Sequence, residues 1–176
     1  MKNKNLIYCI FAFISLCGFL TVSAEDVNER EKNTPYLFRG ESIQTGESLC
    51  LYSDNSEWDK IELVVKSNER VILYLHQKGE KIRVWDSSVK ISRDPKVLMT
   101  PSGKFAISNG ADLDNLYSEL LGYEAYFWKA IHRNVPGSFL AIEKTVDSAR
   151  IAIYSPTHEL LWDSETGDYT SVVDYM

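Results

Sequence analysis

The sequence predicts an all-β chain, and three observations carry that expectation. Aromatic residues make up 12% of the 176 positions, ten Tyr and four Trp among them, a bias that suits pleated, half-buried surfaces. Short alternating or apolar runs follow one another, divided by turn residues, which is the pattern of a sandwich, barrel or prism. Finally, an apolar strand ending in Tyr followed by a Trp-Asp-Ser unit occurs twice, so the chain repeats itself.

The chain opens with Lys2 and Lys4, the apolar run Leu6 to Leu20, and Thr21-Val22-Ser23-Ala24. Small residues at 22 and 24 suit a signal peptidase, so residues 1–24 are expected to be a secretory leader. The run is fifteen residues long, short of the roughly 20 that cross a bilayer, so no stable membrane insertion is expected. Residues 25–34 are charged and without periodicity and are expected as a flexible arm. A domain is expected over 35–170, with 171–176 as a tail or a strand exchanged between copies.

Strands are expected, in order, at Tyr36 to Phe38, Ser48 to Tyr52, Ile61 to Val65, Val71 to Leu75, Ile82 to Trp85, Val97 to Met99 and Phe105 to Ile107. Tyr126 to Ile131, Phe139 to Ile142, Arg150 to Tyr154 and Leu160 to Trp162 complete the series. One stretch reads as helix: in 111–121, Leu113, Leu116, Tyr117, Leu120 and Leu121 recur at helical spacing, and Gly122 can cap it. That stretch, with Tyr123, Tyr126 and Phe127, reads either as a cover packed on the sheets or as an aromatic ligand platform.

Ile82-Arg83-Val84-Trp85-Asp86-Ser87-Ser88 returns as Leu160-Leu161-Trp162-Asp163-Ser164-Glu165-Thr166, after Ile72-Leu73-Tyr74 and Ala152-Ile153-Tyr154. Trp128 stands between them, 43 residues after Trp85 and 34 before Trp162. Three copies of one unit are implied, none able to bury its apolar face alone. Trp85, Trp128 and Trp162 are read as core, because rings of that size chiefly supply burial.

Composition excludes several functions. Nineteen basic against twenty-five acidic residues give a net charge of −6, the wrong sign for a nucleic-acid binder. Without the leader, seventeen basic residues remain against twenty-five acidic, a net of −8. Cys9 and Cys17 lie in the leader, so Cys50 has no partner within the remaining chain; it reads as a small buried apolar residue or as half of an intermolecular disulfide. His76, His132 and His158 sit in separate turns without metal-ligand spacing, and no nucleophile or phosphate-loop motif is present. No enzyme, metal or cofactor is expected.

The stretch Tyr36-Leu37-Phe38-Arg39-Gly40-Glu41-Ser42-Ile43-Gln44-Thr45-Gly46-Glu47-Ser48-Leu49, the strand-Tyr, hairpin, Trp units, and Val97-Leu98-Met99-Thr100-Pro101-Ser102-Gly103-Lys104-Phe105-Ala106-Ile107 together resemble the bulb-type lectins. The resemblance spans about Tyr36 to Thr166. It implies a β-prism II fold of three four-stranded antiparallel sheets about a pseudo-threefold axis, with the helical stretch as an insertion: twenty residues separate Ser108 from Trp128, where Tyr154 and Trp162 are eight apart. It also implies a secreted carbohydrate-binding protein with a glycan or glycoprotein partner, and a homodimer formed by exchange of a strand such as Ser171 to Tyr175. A lectin-derived scaffold that binds protein is the other reading.

In that family each repeat binds mannose through Q-x-D-x-N-x-V-x-Y, whose alternation puts five side chains on one face of a strand. The matching positions here are Lys66, Asn68, Arg70, Ile72 and Tyr74; Thr100, Ser102, Lys104, Ala106 and Ser108; and Val146, Ser148, Arg150, Ala152 and Tyr154, with Glu143 or Asp147 reachable by a shift in the third turn. No repeat keeps both Gln and Asp. Lys and Arg donate hydrogen bonds but accept none, so ordinary mannose recognition is not expected. The third motif position is basic throughout, as Arg70, Lys104 and Arg150. That reads as a solvated strand face or as a site favouring acidic glycans.

Overall fold

A computed structural model describes residues 30–54, 57–66, 70–88, 95–109 and 128–171. The leader, most of the arm, Asn68, the helical stretch over 111–121 and residues 172–176 fall outside the described residues.

Fourteen strands are described: β1 (Arg30–Lys32), β2 (Tyr36–Leu37), β3 (Ser42–Gln44), β4 (Glu47–Tyr52), β5 (Lys60–Val65), β6 (Val71–Gln77), β7 (Glu80–Asp86), β8 (Pro95–Met99), β9 (Phe105–Asn109), β10 (Trp128–Ala130), β11 (Phe139–Lys144), β12 (Ala149–Tyr154), β13 (Leu160–Asp163) and β14 (Tyr169–Ser171). They form three sheets, the faces of a β-prism II: sheet I in the order β1-β4-β5-β6-β7, sheet II in the order β14-β10-β9-β8-β3, and sheet III in the order β13-β12-β11-β2.

Two sheets hold a fifth strand beyond the four expected. In sheet I it is β1, which runs parallel to β4 with Arg30 opposite Glu47. The end of the segment expected as an arm is therefore paired, and Lys32 Nζ donates to the Ser42 carbonyl oxygen at 2.7 Å. In sheet II it is β14, antiparallel to β10 of the same chain, with Trp128 opposite Ser171. All other pairings in the described residues are antiparallel.

The spacing Leu37, Gly40, Ile43, Gly46, Leu49 explains how the sheets are stitched together. Leu37 enters sheet III on β2, Ile43 enters sheet II on β3 and Leu49 enters sheet I on β4; all three side chains are fully buried in one core. Each such burial contributes roughly 2 kcal/mol. The chain turns between sheets at Gly40 and Gly46, with φ of 78° and 79°, a region that residues with a Cβ rarely adopt.

The repeat is visible in the hydrogen bonds. Ser87 exchanges bonds with Val71, its amide donating to the Val71 carbonyl at 3.0 Å and its hydroxyl accepting the Val71 amide at 3.3 Å. Ser164 does the same with Ile151 at 2.9 and 3.0 Å. Both hairpins shift register one residue before or at their Tyr, between Leu73 and Tyr74 and between Ile153 and Tyr154. Trp128 meets Trp85 and Trp162 edge to face, with centroids 5.7 and 5.9 Å apart, and Phe105 lies 5.1 Å from Trp128. Such T-shaped contacts add about 1 kcal/mol each beyond burial.

Candidate functional site

Alternation sorts each strand into a core side and an outer side. On β6, Val71, Leu73 and Leu75 join the core, leaving Ile72, Tyr74 and His76 on the outer face of sheet I. On β12, Ala149, Ile151 and Ile153 join it, leaving Arg150, Ala152 and Tyr154 on the outer face of sheet III.

The outer face of sheet I is occupied by its own charges. Glu62, opposite both Cys50 and Tyr74, is 1% exposed. It accepts from Lys60 at 2.9 Å and Lys81 at 3.0 Å, and His76 Nε2 lies 3.0 Å from it. Burial pushes its carboxyl up, but hydrogen bonds and charge from Lys60 and Lys81 outweigh that and hold it at about 2. Lys81 also sits 4.2 Å over the Tyr74 ring. Ile72 is buried, Lys66 is half-buried beyond the end of β5, and Arg70 pairs with Asp86 at 3.2 Å. Asp86 also pairs with Arg83 and accepts the Ser88 amide.

The second motif does not form a strand face. Thr100, Ser102 and Lys104 lie in the turn before β9, where the Thr100 hydroxyl bonds Ser102 at 2.9 Å and accepts the Lys104 amide at 3.0 Å. The loop after β10 packs on this turn so closely that a Cβ at Gly103 would lie 2.0 Å from the Val135 carbonyl oxygen. Within the loop, burial lowers the His132 imidazole below its ordinary value against a raising hydrogen bond to the Arg133 carbonyl oxygen, and Lys104 adds to the lowering. Ala106 and Ser108 are fully buried, and the Ser108 hydroxyl has no partner among the described residues.

Sheet III is different. Tyr36 and Phe38 flank the buried Leu37 and therefore point outward, 42% and 50% exposed. The register Ala141↔Tyr36 and Leu140↔Leu37 brings them beside β11. Phe139 becomes the hub of an aromatic group: Tyr36, Phe38, Tyr154 and His158 have centroids 6.0, 5.8, 5.8 and 5.6 Å from its own. Phe139 pairs across the strands with Tyr154, and Glu143 with Arg150. Tyr36, Phe38, Gly137, Phe139, Ala141, Glu143, Tyr154, Pro156 and His158 line a depression of about 700 Å³; Arg150 is not part of that lining.

One end of the depression is polar. Arg150 Nε donates to Glu143 at 3.0 Å, and its Nη1 lies 3.7 Å from Asp163. Burial would lower the Arg150 guanidinium, but Glu143 outweighs it and raises it further. Burial, then hydrogen bonding to Glu143 and its charge, push the Tyr154 phenol up. Asp163 is itself engaged by the turn behind it, accepting the Glu165 and Thr166 amides at 2.9 and 2.8 Å. Ser148 sits in the preceding turn, its amide donating to Thr145 Oγ1, and Val146 is 92% exposed at the tip. Among the described residues no group of three or more His, Cys, Asp and Glu is placed to hold a metal ion.

Of the residues singled out in the sequence, Tyr154 and Glu143 line this concave site, and Arg150 is bonded to Glu143 beside it. Arg70 and Tyr74 lie on the closed face of sheet I, while Thr100, Ser102 and Lys104 lie in a closed turn. Tyr36, Phe38 and Phe139 were not singled out as ligand contacts. The only sequence signal for them is the Tyr36-Leu37-Phe38 alternation, which marks two rings on one face without saying what they meet.

No protein-family model and no curated protein matches the sequence. Among solved structures, the chain is similar to a protein described with novel monomeric monocot mannose-binding lectins from Gastrodia elata, at 17% identity and a TM-score of 0.49, over 76% of this chain and 97% of that one.

Proposed function

We propose that this protein is an exported carbohydrate-binding protein whose working site is the outer face of sheet III. The observation that carries the reading is the aromatic group around Phe139, open to solvent through Tyr36 and Phe38 and closed at one end by Glu143, which Arg150 holds, and Tyr154. Apolar rings with a few convergent polar groups are the general form of a small-ligand site, and sugars present both CH faces and hydroxyls. Lys2, Lys4 and the apolar run of the leader support export.

The charge arrangement favours a neutral glycan over an acidic one. Arg150 is compensated by Glu143 with Asp163 nearby, so the sheet III site offers no unmatched cation. Binding is favoured over catalysis, since Glu143 is tied to a guanidinium and Asp163 to its turn.

A glycan array with wild type, Tyr36→Ala and Phe38→Ala tests the proposal, because both rings are half-exposed and their loss spares the core. Binding of neutral glycans by wild type that falls at least tenfold in each variant is expected. No glycan bound, or equal binding by all three proteins, overturns it in favour of a protein-binding scaffold.

A further inference from the structure

The same face carries a statement about which sugars it takes, and this statement rests on the carbohydrate-binding reading above. We infer that the depression on sheet III accepts neutral, β-1,4-linked chains of pyranoses whose hydroxyls are all equatorial, engaging two or more rings at once.

Length is the first consideration. Tyr36 and Phe38 come from the β2 end, Phe139 from β11 and Tyr154 from β12, three neighbouring strands. The platform therefore crosses two strand spacings, roughly 10 Å, and the depression holds about 700 Å³, room for more than one sugar ring.

The shape of the surface is the second. Phe38 to Phe139 and Phe139 to Tyr154 are inclined by 38° and 30°, and Tyr36 to Phe38 by 37°, while Tyr36 and His158 each stand at 74° to Phe139. Phe38, Phe139 and Tyr154 thus make a shallow aromatic floor with Tyr36 and His158 edge-on to its middle ring, and such a floor is matched by stacking against CH hydrogens. Successive residues of a β-1,4 chain turn over by half a rotation, so a floor longer than one residue meets opposite faces of neighbouring sugars. Only a pyranose with equatorial hydroxyls has CH hydrogens free of oxygen on both faces; an axial hydroxyl, as at C2 of mannose, roughens one of them.

Charge and hydrogen bonding set the third limit. Glu143, Arg150 and Asp163 together carry a net negative charge, and Arg150 is already held at 3.0 Å by Glu143. A uronate or sulfate arriving there meets the Glu143 carboxylate, with Asp163 behind Arg150. The outer face of β12 between Arg150 and Tyr154 holds only Ala152, fully buried, and therefore has no side chain to read an axial hydroxyl.

Titration calorimetry of the full mature chain with three neutral or acidic probes tests this: the β-1,4-linked glucose trisaccharide, the α-linked mannose trisaccharide and a β-1,4-linked uronate trisaccharide, each repeated on Phe38→Ala. The glucose trisaccharide is expected to bind at least tenfold more tightly than either competitor and at least tenfold more tightly than glucose itself, with that advantage lost in Phe38→Ala. If the mannose or uronate trisaccharide binds equally well or better and Phe38→Ala still weakens it, this inference falls while the carbohydrate-binding site stands. If none of the three binds, both fall.

Discussion

Arg150 and Glu143 stand directly opposite one another on β12 and β11, with the Arg150 Nε and Nη2 each 3.0 Å from the same Glu143 oxygen. Two donors converging on one carboxylate oxygen make a charge-assisted contact, and it consumes the cation that the third motif position supplies. Glu143→Gln removes the charge that compensates Arg150 at the edge of the depression. The variant is expected to gain affinity for an acidic trisaccharide several-fold over wild type in calorimetry, and to titrate Tyr154 at lower pH, since Glu143 raises that phenol. Unchanged affinity and an unchanged phenol titration would show that Glu143 does not govern the site's charge.

Glu62 gives the fold a pH dependence. Its carboxyl is held at about 2 against an ordinary 4.5, so the folded state prefers the charged form. Stability from this group is fully present above about pH 4.5 and is lost as pH falls toward 2. The shift corresponds to about 3 kcal/mol. Urea unfolding from pH 6 down to pH 2 is expected to show that loss in wild type and a flatter curve in Glu62→Gln, which is less stable at neutral pH.

Two glycines with similar backbones should respond unequally to alanine. Gly40 has φ of 78° and nothing within 4 Å of an added Cβ, whereas Gly103 has φ of 87° and the Val135 carbonyl oxygen at 2.0 Å. Gly40→Ala is expected to cost about 1 kcal/mol for the backbone alone. Gly103→Ala adds a clash between the β9 turn and the loop after β10 and is expected to cost about 3 kcal/mol or more, read by thermal denaturation.

The central tryptophans differ in their polar ends. Trp162 Nε1 donates to the Asp168 carbonyl oxygen at 2.9 Å, while Trp128 Nε1 is buried with no partner among the described residues. Trp162→Phe removes a hydrogen bond, leaving the Asp168 carbonyl oxygen with the Ile131 amide at 2.9 Å alone; Trp128→Phe removes an unsatisfied donor. Of the two, Trp162→Phe is expected to be more destabilising by about 1 kcal/mol in denaturant unfolding.

Much of the fold is legible in the sequence because its signals are local. Alternation in Val71 to Leu75 and Arg150 to Tyr154 marks the strands, and Trp85-Asp86-Ser87 with Trp162-Asp163-Ser164 marks equivalent hairpins. The strands not anticipated, β1, β3 and β14, have three residues each, too few to show a period. The site was less legible because its parts are remote: Tyr36 reaches Phe139 only through the β2–β11 register, a pairing across about a hundred positions that no local pattern encodes. Arg70 and Arg150 look like ligand contacts in isolation. Each is matched instead by the Asp that follows its own repeat's Trp, at 3.2 and 3.7 Å, a pairing that comparing the two repeats side by side could have suggested.

The most direct test of the account is a two-dimensional amide NMR titration of residues 25–176 with the β-1,4-linked glucose trisaccharide. Saturable shifts confined to Phe38, Phe139, Ala141, Glu143 and Tyr154 and their neighbours on sheet III are the expected result. Shifts centred on Tyr74 and Glu62 of sheet I, or on the Thr100 to Lys104 turn, or no saturable shift at any concentration, would contradict it.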